Sequence, residues 1–289
     1  MTNQPTIIEL ISDAEKKLTE SDIDTARLDA EVLLAFAMGT KRGELYLNRE
    51  KIPSTNEIEK FNSYIEDRIK RCPVAYITGE KEFWSIPIKV TQECLIPRPE
   101  SELIVESVLK IYTDKKKAFE ILDLCTGSGC VAMALATEFP NTQIICTDIS
   151  ATALEIAKIN LNSVKNPSKF YCGDLFDALK EPKTFHLITA NPPYVPTGHQ
   201  KMLDPEITAY EPAVSLYGGK SGLNFMAKII EHASLYLKTG GWLVMEMGLG
   251  QAEKMEQIAA ECGGYDKTII AKDLAGIERV ICLRRSENG

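Results

Sequence analysis

The residues best suited to chemistry in this 289-residue chain stand in four short clusters. The sharpest is Asn191-Pro192-Pro193-Tyr194, which follows the apolar run FHLITA. Two consecutive prolines stiffen the backbone and remove two N–H donors. The carbonyl of Pro192 is then free to accept, and Asn191 sets a side-chain oxygen beside it. Tyr194 adds a flat aromatic face. Together they make a slot for a planar NH2 group, with two acceptors for its two hydrogens and an aromatic wall for its π system. The plain alternative is a proline-rich loop.

The second cluster is Asp123-Leu-Cys-Thr-Gly-Ser-Gly129, which closes one apolar run and opens a helix. Glycines at such a turn allow positive φ and a close approach of backbone to a ligand, and the free amides of the next helix favour an anionic group. An ordinary strand–helix turn would look similar. The third is Asp148, closing the run TQIICTD. An acid about 20 residues past a glycine turn can accept both hydroxyls of a ribose; otherwise it caps a helix near Ser150. The fourth is Asp174, placed to accept from an adenine amino group, with Leu175 to pack the ring; its plain alternative is a solvated loop acid. The glycine turn and Asp148 point to a nucleoside-containing cofactor. A dinucleotide enzyme stays open, although the turn is not of G-x-G-x-x-G form.

Other chemistry is poorly supported. The eight cysteines, at Cys72, Cys94, Cys125, Cys130, Cys146, Cys172, Cys262 and Cys282, form no CxxC pair, and the three histidines form no HExxH, so no metal site is expected. Unpaired cysteines suit a reducing, cytoplasmic setting, and Cys146, Cys172 and Cys282 read as buried strand residues. Thirty-three basic residues against 41 acidic ones give a net charge of −8, which argues against a protein held mainly by phosphate backbone. Neither a signal peptide nor an apolar run of about 18 residues is visible.

The elements that must position these clusters fall into two patterns. Residues 1 to about 72 are helical in periodicity, with Ile7, Ile11, Ala14 and Leu18 on one face, Leu28, Val32 and Phe36 on a second helix, and Ile58, Phe61, Ile65 and Ile69 on a third. This segment holds 11 basic and 14 acidic side chains, so it is no basic arm. Residues 73–98 read as a connector, with VAYIT and EFWSIPIKV paired as a β-hairpin around Gly79. Pro99 suits the start of a helix. From about residue 118, seven apolar strands alternate with amphipathic helices, which predicts an α/β fold with a mostly parallel sheet covered on both faces. The last two strands, joined by the short turn at 273–276, suit an antiparallel hairpin.

The turn D-x-x-T-G-S-G, the two strand-end acids and NPPY together resemble the Rossmann-like S-adenosylmethionine-dependent N-methyltransferases. A helical N-terminal segment, then PVAYITGEKEFW, then LIPRPE, narrows the resemblance to the peptide chain release factor glutamine N5-methyltransferase family over essentially the whole chain. The resemblance implies S-adenosyl-L-methionine as cofactor and class 1 release factors as protein substrate, methylated on the glutamine of the Gly-Gly-Gln loop. It places cofactor contacts on Cys125, Thr126, Gly127, Ser128, Gly129, Asp148, Asp174, Leu175 and Asn191. Catalysis falls on Asn191, Pro192 and Tyr194, and substrate binding on Asn191, Pro192, Pro193 and Tyr194. Cys125 stands where members often have Gly, and Leu175 where some have Trp. The expected organisation is a substrate-recognition bundle at 1–72, the hairpin connector at 73–98, and the methyltransferase domain at 99–289. A monomer is expected, with no membrane and no direct nucleic-acid partner. The alternative reading is a DNA or RNA N-methyltransferase using the same slot on an exocyclic base amine, which would need a basic groove.

Overall fold

The computed structural model describes residues 4–179, 181 and 183–287, which divide into two compact units. The first comprises residues 1–79 with 205–210. Its helices are α1 (Ile7–Thr19), α2 (Ala26–Met38), α3 (Arg42–Leu47), α4 (Thr55–Ile69) and α5 (Val74–Thr78). Both long outer helices begin with a reciprocal cap. At α1, Glu9 Oε2 accepts the Thr6 N–H at 2.8 Å while Thr6 Oγ1 accepts from Glu9 N. At α4, Ser54 and Glu57 do the same. Each box satisfies two otherwise orphaned donors, worth about 1 kcal/mol. Phe61, Ile65, Leu33, Leu34 and the expected α1 face are buried together.

Two expectations for this unit need correcting. On α2 the stripe Leu28, Val32, Phe36 is not the core face: Leu28 and Phe36 are exposed, and Ala26, Ala30, Leu33, Leu34 and Ala37 are buried. An apolar helix carries several stripes of period 3.6, and the alanine side packs closest. The run VAYIT is a helix, not a strand. The Pro73 carbonyl accepts from Tyr76 N at 2.9 Å and Ile77 N at 3.2 Å, and Gly79 ends the turn at φ +76°. Capping therefore overrides the β-propensity of Val74, Ile77 and Thr78.

The second unit begins with the hairpin β1 (Glu80–Phe83) and β2 (Ile86–Lys89), shifted later than the sequence suggested. A short turn at Pro99–Ser101 leads into α6 (Glu102–Ile111). Then come β3 (Glu120–Leu124), α7 (Cys130–Glu138), β4 (Gln143–Asp148), α8 (Ala151–Asn160), β5 (Lys169–Cys172) and β6 (Phe185–Ala190). The short helix α9 (Pro205–Tyr210) interrupts this run and belongs to the first unit. The chain ends with α10 (Asn224–Tyr236), β7 (Leu237–Glu246), α11 (Ala252–Cys262), β8 (Tyr265–Lys272) and β9 (Glu278–Arg285).

The seven strands order as β5-β4-β3-β6-β7-β9-β8, parallel from β5 to β7 and antiparallel at β9 and β8. Ile121, Leu122 and Leu124 of β3 are fully buried, as expected for a strand covered on both faces. β5 is an edge strand, so Cys172 is exposed rather than buried, whereas Cys146 and Cys282 lie in the core. Strand order reverses at β3, with β4 on one side and β6 on the other. The carboxyl ends of these three strands therefore border the crevice where α/β sheets bind ligands. Among the described residues no helix is long and apolar enough to cross a membrane.

Candidate active site

A cleft of about 1070 Å3, including its open mouth, lies at that crevice within the second unit. Its floor is the turn after β3. Asp123 is buried there, accepting from Thr126 Oγ1 at 2.5 Å and from Thr189 Oγ1 at 2.6 Å. Burial pushes its carboxyl up to about 6. Cys125 adopts φ +54°, a left-handed conformation natural to glycine, at the position where the resembling family often has Gly. Gly127 has φ +55°, and the space where its Cβ would stand is open. Gly129 does a different job. A Cβ there would lie 2.6 Å from Leu161 Cδ1 and 3.1 Å from Ala157 Cβ, so Gly129 lets α7 pack on α8 and does not line the cleft.

Asp148, at the end of β4, is held from two sides. Its Oδ2 accepts the Gly127 N–H at 2.8 Å and its Oδ1 accepts the Ser150 N–H at 2.9 Å. The cap of α8 is Ser150 itself, accepting from Ala153 N at 3.1 Å. Asp148 is thus fixed by backbone amides, with lone-pair capacity left for a further donor. Burial raises its pKa even though the backbone amides lower it. Ile149 follows, 56% exposed and lining the cleft, an apolar face that sequence reasoning missed. Asp174 and Leu175 form the facing wall, Leu175 at φ +47°. Asp174 Oδ2 also lies 3.7 Å from Lys228 Nζ at the surface.

The residues present fit a nucleoside. They offer a fixed carboxylate for hydroxyls, an open backbone turn, and apolar faces at Ile149, Leu175 and Phe225 for a flat ring.

Asn191 and Pro193 line the same cleft, whereas Pro192 and Tyr194 do not reach its lining. The loop they belong to is clamped. Gln251 Nε2 donates to the Tyr194 carbonyl at 3.1 Å, and its Oε1 accepts from Gly248 N at 2.7 Å. The Tyr194 hydroxyl lies near Glu246, and burial together with that carboxylate raises its pKa. Asn191 Nδ2 donates to Ser101 Oγ at 3.0 Å, and Ser101 Oγ donates to Glu246 Oε2 at 2.5 Å. Glu246 is fully enclosed at the end of β7, and burial raises its pKa.

A second hidden pair borders the opening. Arg98 forms an ion pair with Glu211, whose other oxygen accepts the Ile96 N–H at 3.3 Å. It ties the segment before α6 to the chain after α9. Ser101 and Glu211 carry no linear motif; only the fold reveals them. His186 and His232 take backbone partners outside the cleft, and no metal-binding cluster exists among the described residues.

Known proteins share both halves of this arrangement. The PrmC N-terminal domain family matches residues 9–79, and the methyltransferase small domain family matches residues 100–208. A protein of Thermodesulfovibrio yellowstonii named release factor glutamine methyltransferase is 42% identical over 265 residues, spanning 90% of this chain and 93% of the relative. Its namesake in Coxiella burnetii is 41% identical over 263 residues, spanning 90% of this chain and 92% of the relative. The crystal structure of a methyltransferase from Pyrococcus furiosus superposes with a TM-score of 0.50 at 22% identity, covering 71% of this chain and 92% of that one, and so shares the fold.

Proposed function

The chain belongs to the release factor glutamine methyltransferase family, and from that premise we propose that it methylates the side-chain amide nitrogen (N5) of the Gly-Gly-Gln glutamine in class 1 peptide chain release factors, with S-adenosylmethionine as methyl donor. The observation that carries this reading is the placement of Asn191, in its Asn-Pro-Pro-Tyr turn, on the same cleft as Asp148 and the glycine turn. S-adenosylmethionine, when bound, supplies an electrophilic methyl on a sulfonium. Asp148 would take the ribose hydroxyls, Thr126, Gly127 and Ser128 line the cleft beside it, and Ile149 and Leu175 would hold the adenine, with Asp174 as the acceptor for its amino group.

A primary amide nitrogen is a poor nucleophile because its lone pair is delocalised. Asn191 Oδ1, on the cleft, accepts one N–H of the substrate, which fixes the nitrogen and favours the positive charge it develops; the Pro192 carbonyl, next to it in the turn but outside the cleft lining, is the expected acceptor for the other. Each bond is worth about 1 kcal/mol in the ground state; the larger gain is orientation. Tyr194, in the same turn, is the expected aromatic wall of the slot, with its hydroxyl near Glu246. The proton leaves to water after methyl transfer.

The first unit has none of the nucleotide-binding features of the second, and we assign it recognition of the release factor. Eight free cysteines suit a reducing cytoplasm. A nucleic-acid substrate is disfavoured by the net charge of −8 and by the naming of relatives that span 90% of this chain. The deciding experiment offers labelled S-adenosylmethionine together with purified release factor, duplex DNA or structured RNA. Label is expected on release factor alone, at glutamine. Label on nucleic acid and none on release factor would overturn the reading.

A further inference from the structure

A carboxamide has two ends of nearly the same shape, of which only one accepts hydrogen bonds. An asparagine can hold a substrate amide only if its oxygen, not its NH2, faces that amide. Something must therefore choose the end that Asn191 presents. Its Nδ2 lies 3.0 Å from Ser101 Oγ. A hydroxyl can donate or accept, so Ser101 alone makes no choice. The choice comes from the next partner. Ser101 Oγ lies 2.5 Å from Glu246 Oε2, and an ionised carboxylate only accepts. The Ser101 proton is then committed to Glu246, and the Oγ lone pairs are left to accept from Asn191 Nδ2. Oδ1 becomes the end left for an incoming amide.

The arrangement is built rather than incidental. Ser101 and Glu246 are each 1% exposed, so bulk water has little access to their bond, although Ser101 borders the cleft. They sit 145 residues apart in the chain, Ser101 just before α6 and Glu246 at the end of β7. Tyr194, from the same turn as Asn191, brings its hydroxyl near Glu246, where it favours the ionised carboxylate.

We propose that Ser101 and Glu246 are positioning residues that set the donor–acceptor polarity of Asn191, so that its Oδ1 faces the substrate amide. The inference rests on the reading that Asn191 holds that amide. It also carries a pH signature. Protonated Glu246 can donate to Ser101 Oγ and turn the hydroxyl proton toward Asn191, which inverts the relay. The charged and titratable groups that bear on Glu246 are Tyr194, Glu100 before α6, Arg279 on β9, and Cys130 at the start of α7. Burial outweighs its hydrogen bonds and raises the Glu246 pKa, which brings the inversion nearer neutral pH.

The test is single-turnover methylation of release factor at saturating S-adenosylmethionine, so that protonation of Asp148 does not limit the rate. Ser101→Ala is expected to slow methyl transfer at least about tenfold, with substrate and cofactor affinity within about threefold. In an Asn191→Ala background the same change should cost nothing further, because there is no amide left to orient. Equal slowing in both backgrounds, or no slowing in the wild type, overturns the relay. If Asn191→Ala itself leaves the rate intact, the reading of Asn191 fails and the relay with it. A slow Asn191→Ala beside a fast Ser101→Ala sinks the relay alone. Should Ser101→Ala fail to fold, the pH profile decides. The wild-type rate should fall on acidification and the Glu246→Gln rate should not; the same acid limb in both proteins overturns the proposal.

Discussion

Asp148 Oδ2 accepts the backbone N–H of Gly127 at 2.8 Å, which joins the acid that ends β4 to the glycine turn that follows β3. The bond fixes the acid and the turn against each other before any ligand arrives. Asp148→Ala therefore removes two charge-assisted bonds to ribose and loosens the turn. Cofactor affinity should fall on the order of 100-fold, about 3 kcal/mol. Isothermal calorimetry checks this, and unchanged affinity would take Asp148 out of the site. Folding should survive, since the Ser150 cap of α8 does not depend on Asp148.

Asp123 gives a pH dependence whose sign is unusual for a carboxylate. Its folded pKa of about 6 stands above the ordinary 3.8, so the folded protein holds the proton more tightly than the unfolded chain. Its charge costs stability above about pH 6, and the cost fades as the pH falls toward 4. A shift of that size is worth about 3 kcal/mol. Asp123→Asn carries no charge, keeps one acceptor oxygen, and presents an NH2 to the other threonine, whose hydroxyl turns to accept. The variant should be more stable than wild type at pH 7, and the gap should close by pH 4. Urea unfolding at several pH values measures it; a gap that widens on acidification contradicts the assignment.

The parts of the site readable from the sequence were those carried by short linear patterns. Asn191-Pro192-Pro193-Tyr194 after an apolar strand, and a glycine turn followed by Asp148, declare themselves because local spacing determines their place at the sheet edge. Ser101 and Glu211 do not, and Ser101 meets Glu246 only because strand order brings the two together across 145 residues. The same limit applies to the elements. Parallel strands announced themselves by buried apolar runs. VAYIT looked like a strand because its side chains favour one, while Pro73 and Gly79 bound it as a single helical turn. Leu28 and Phe36 suggested the wrong face of α2 because spacing alone does not say which apolar stripe meets a partner.

In the first unit, Arg68 is buried between two carboxylates, with Nε 2.7 Å from Asp29 Oδ2 and Nη1 3.1 Å from Glu206 Oε1. Arg71 reaches the same Glu206 oxygen at 3.2 Å, and the Tyr210 hydroxyl donates to the Lys70 carbonyl at 2.8 Å. Arg68→Ala leaves Asp29 buried without its cation, a loss of about 3–5 kcal/mol. Thermal denaturation should show a lower midpoint for the first unit. Hydrogen exchange should rise in residues 205–210, which Arg68 helps hold. Unchanged exchange there would mean that Arg71 and Tyr210 suffice to hold α9.

Asn191 carries the sharpest expectation. Asn191→Ala removes the oxygen that holds one hydrogen of the substrate amide and leaves the nitrogen free to turn. Cofactor binding should fall only moderately, because Asp148, the glycine turn and Leu175 remain around the cleft. Methyl transfer should fall at least about 100-fold, the scale of losing one well-placed polar contact in a preorganised site. Asn191→Asp is the finer test. It keeps an acceptor toward the substrate but loses the NH2 that donates to Ser101 Oγ, whose own proton is engaged by Glu246. The new carboxylate then faces lone pairs rather than a donor, and it competes with Glu246 for one proton. Its rate should lie between wild type and Asn191→Ala, and should improve as Glu246→Gln is added, because the competing charge is gone. Single-turnover rates decide the matter: an Asn191→Ala enzyme within a few-fold of wild type means that the amide is held elsewhere.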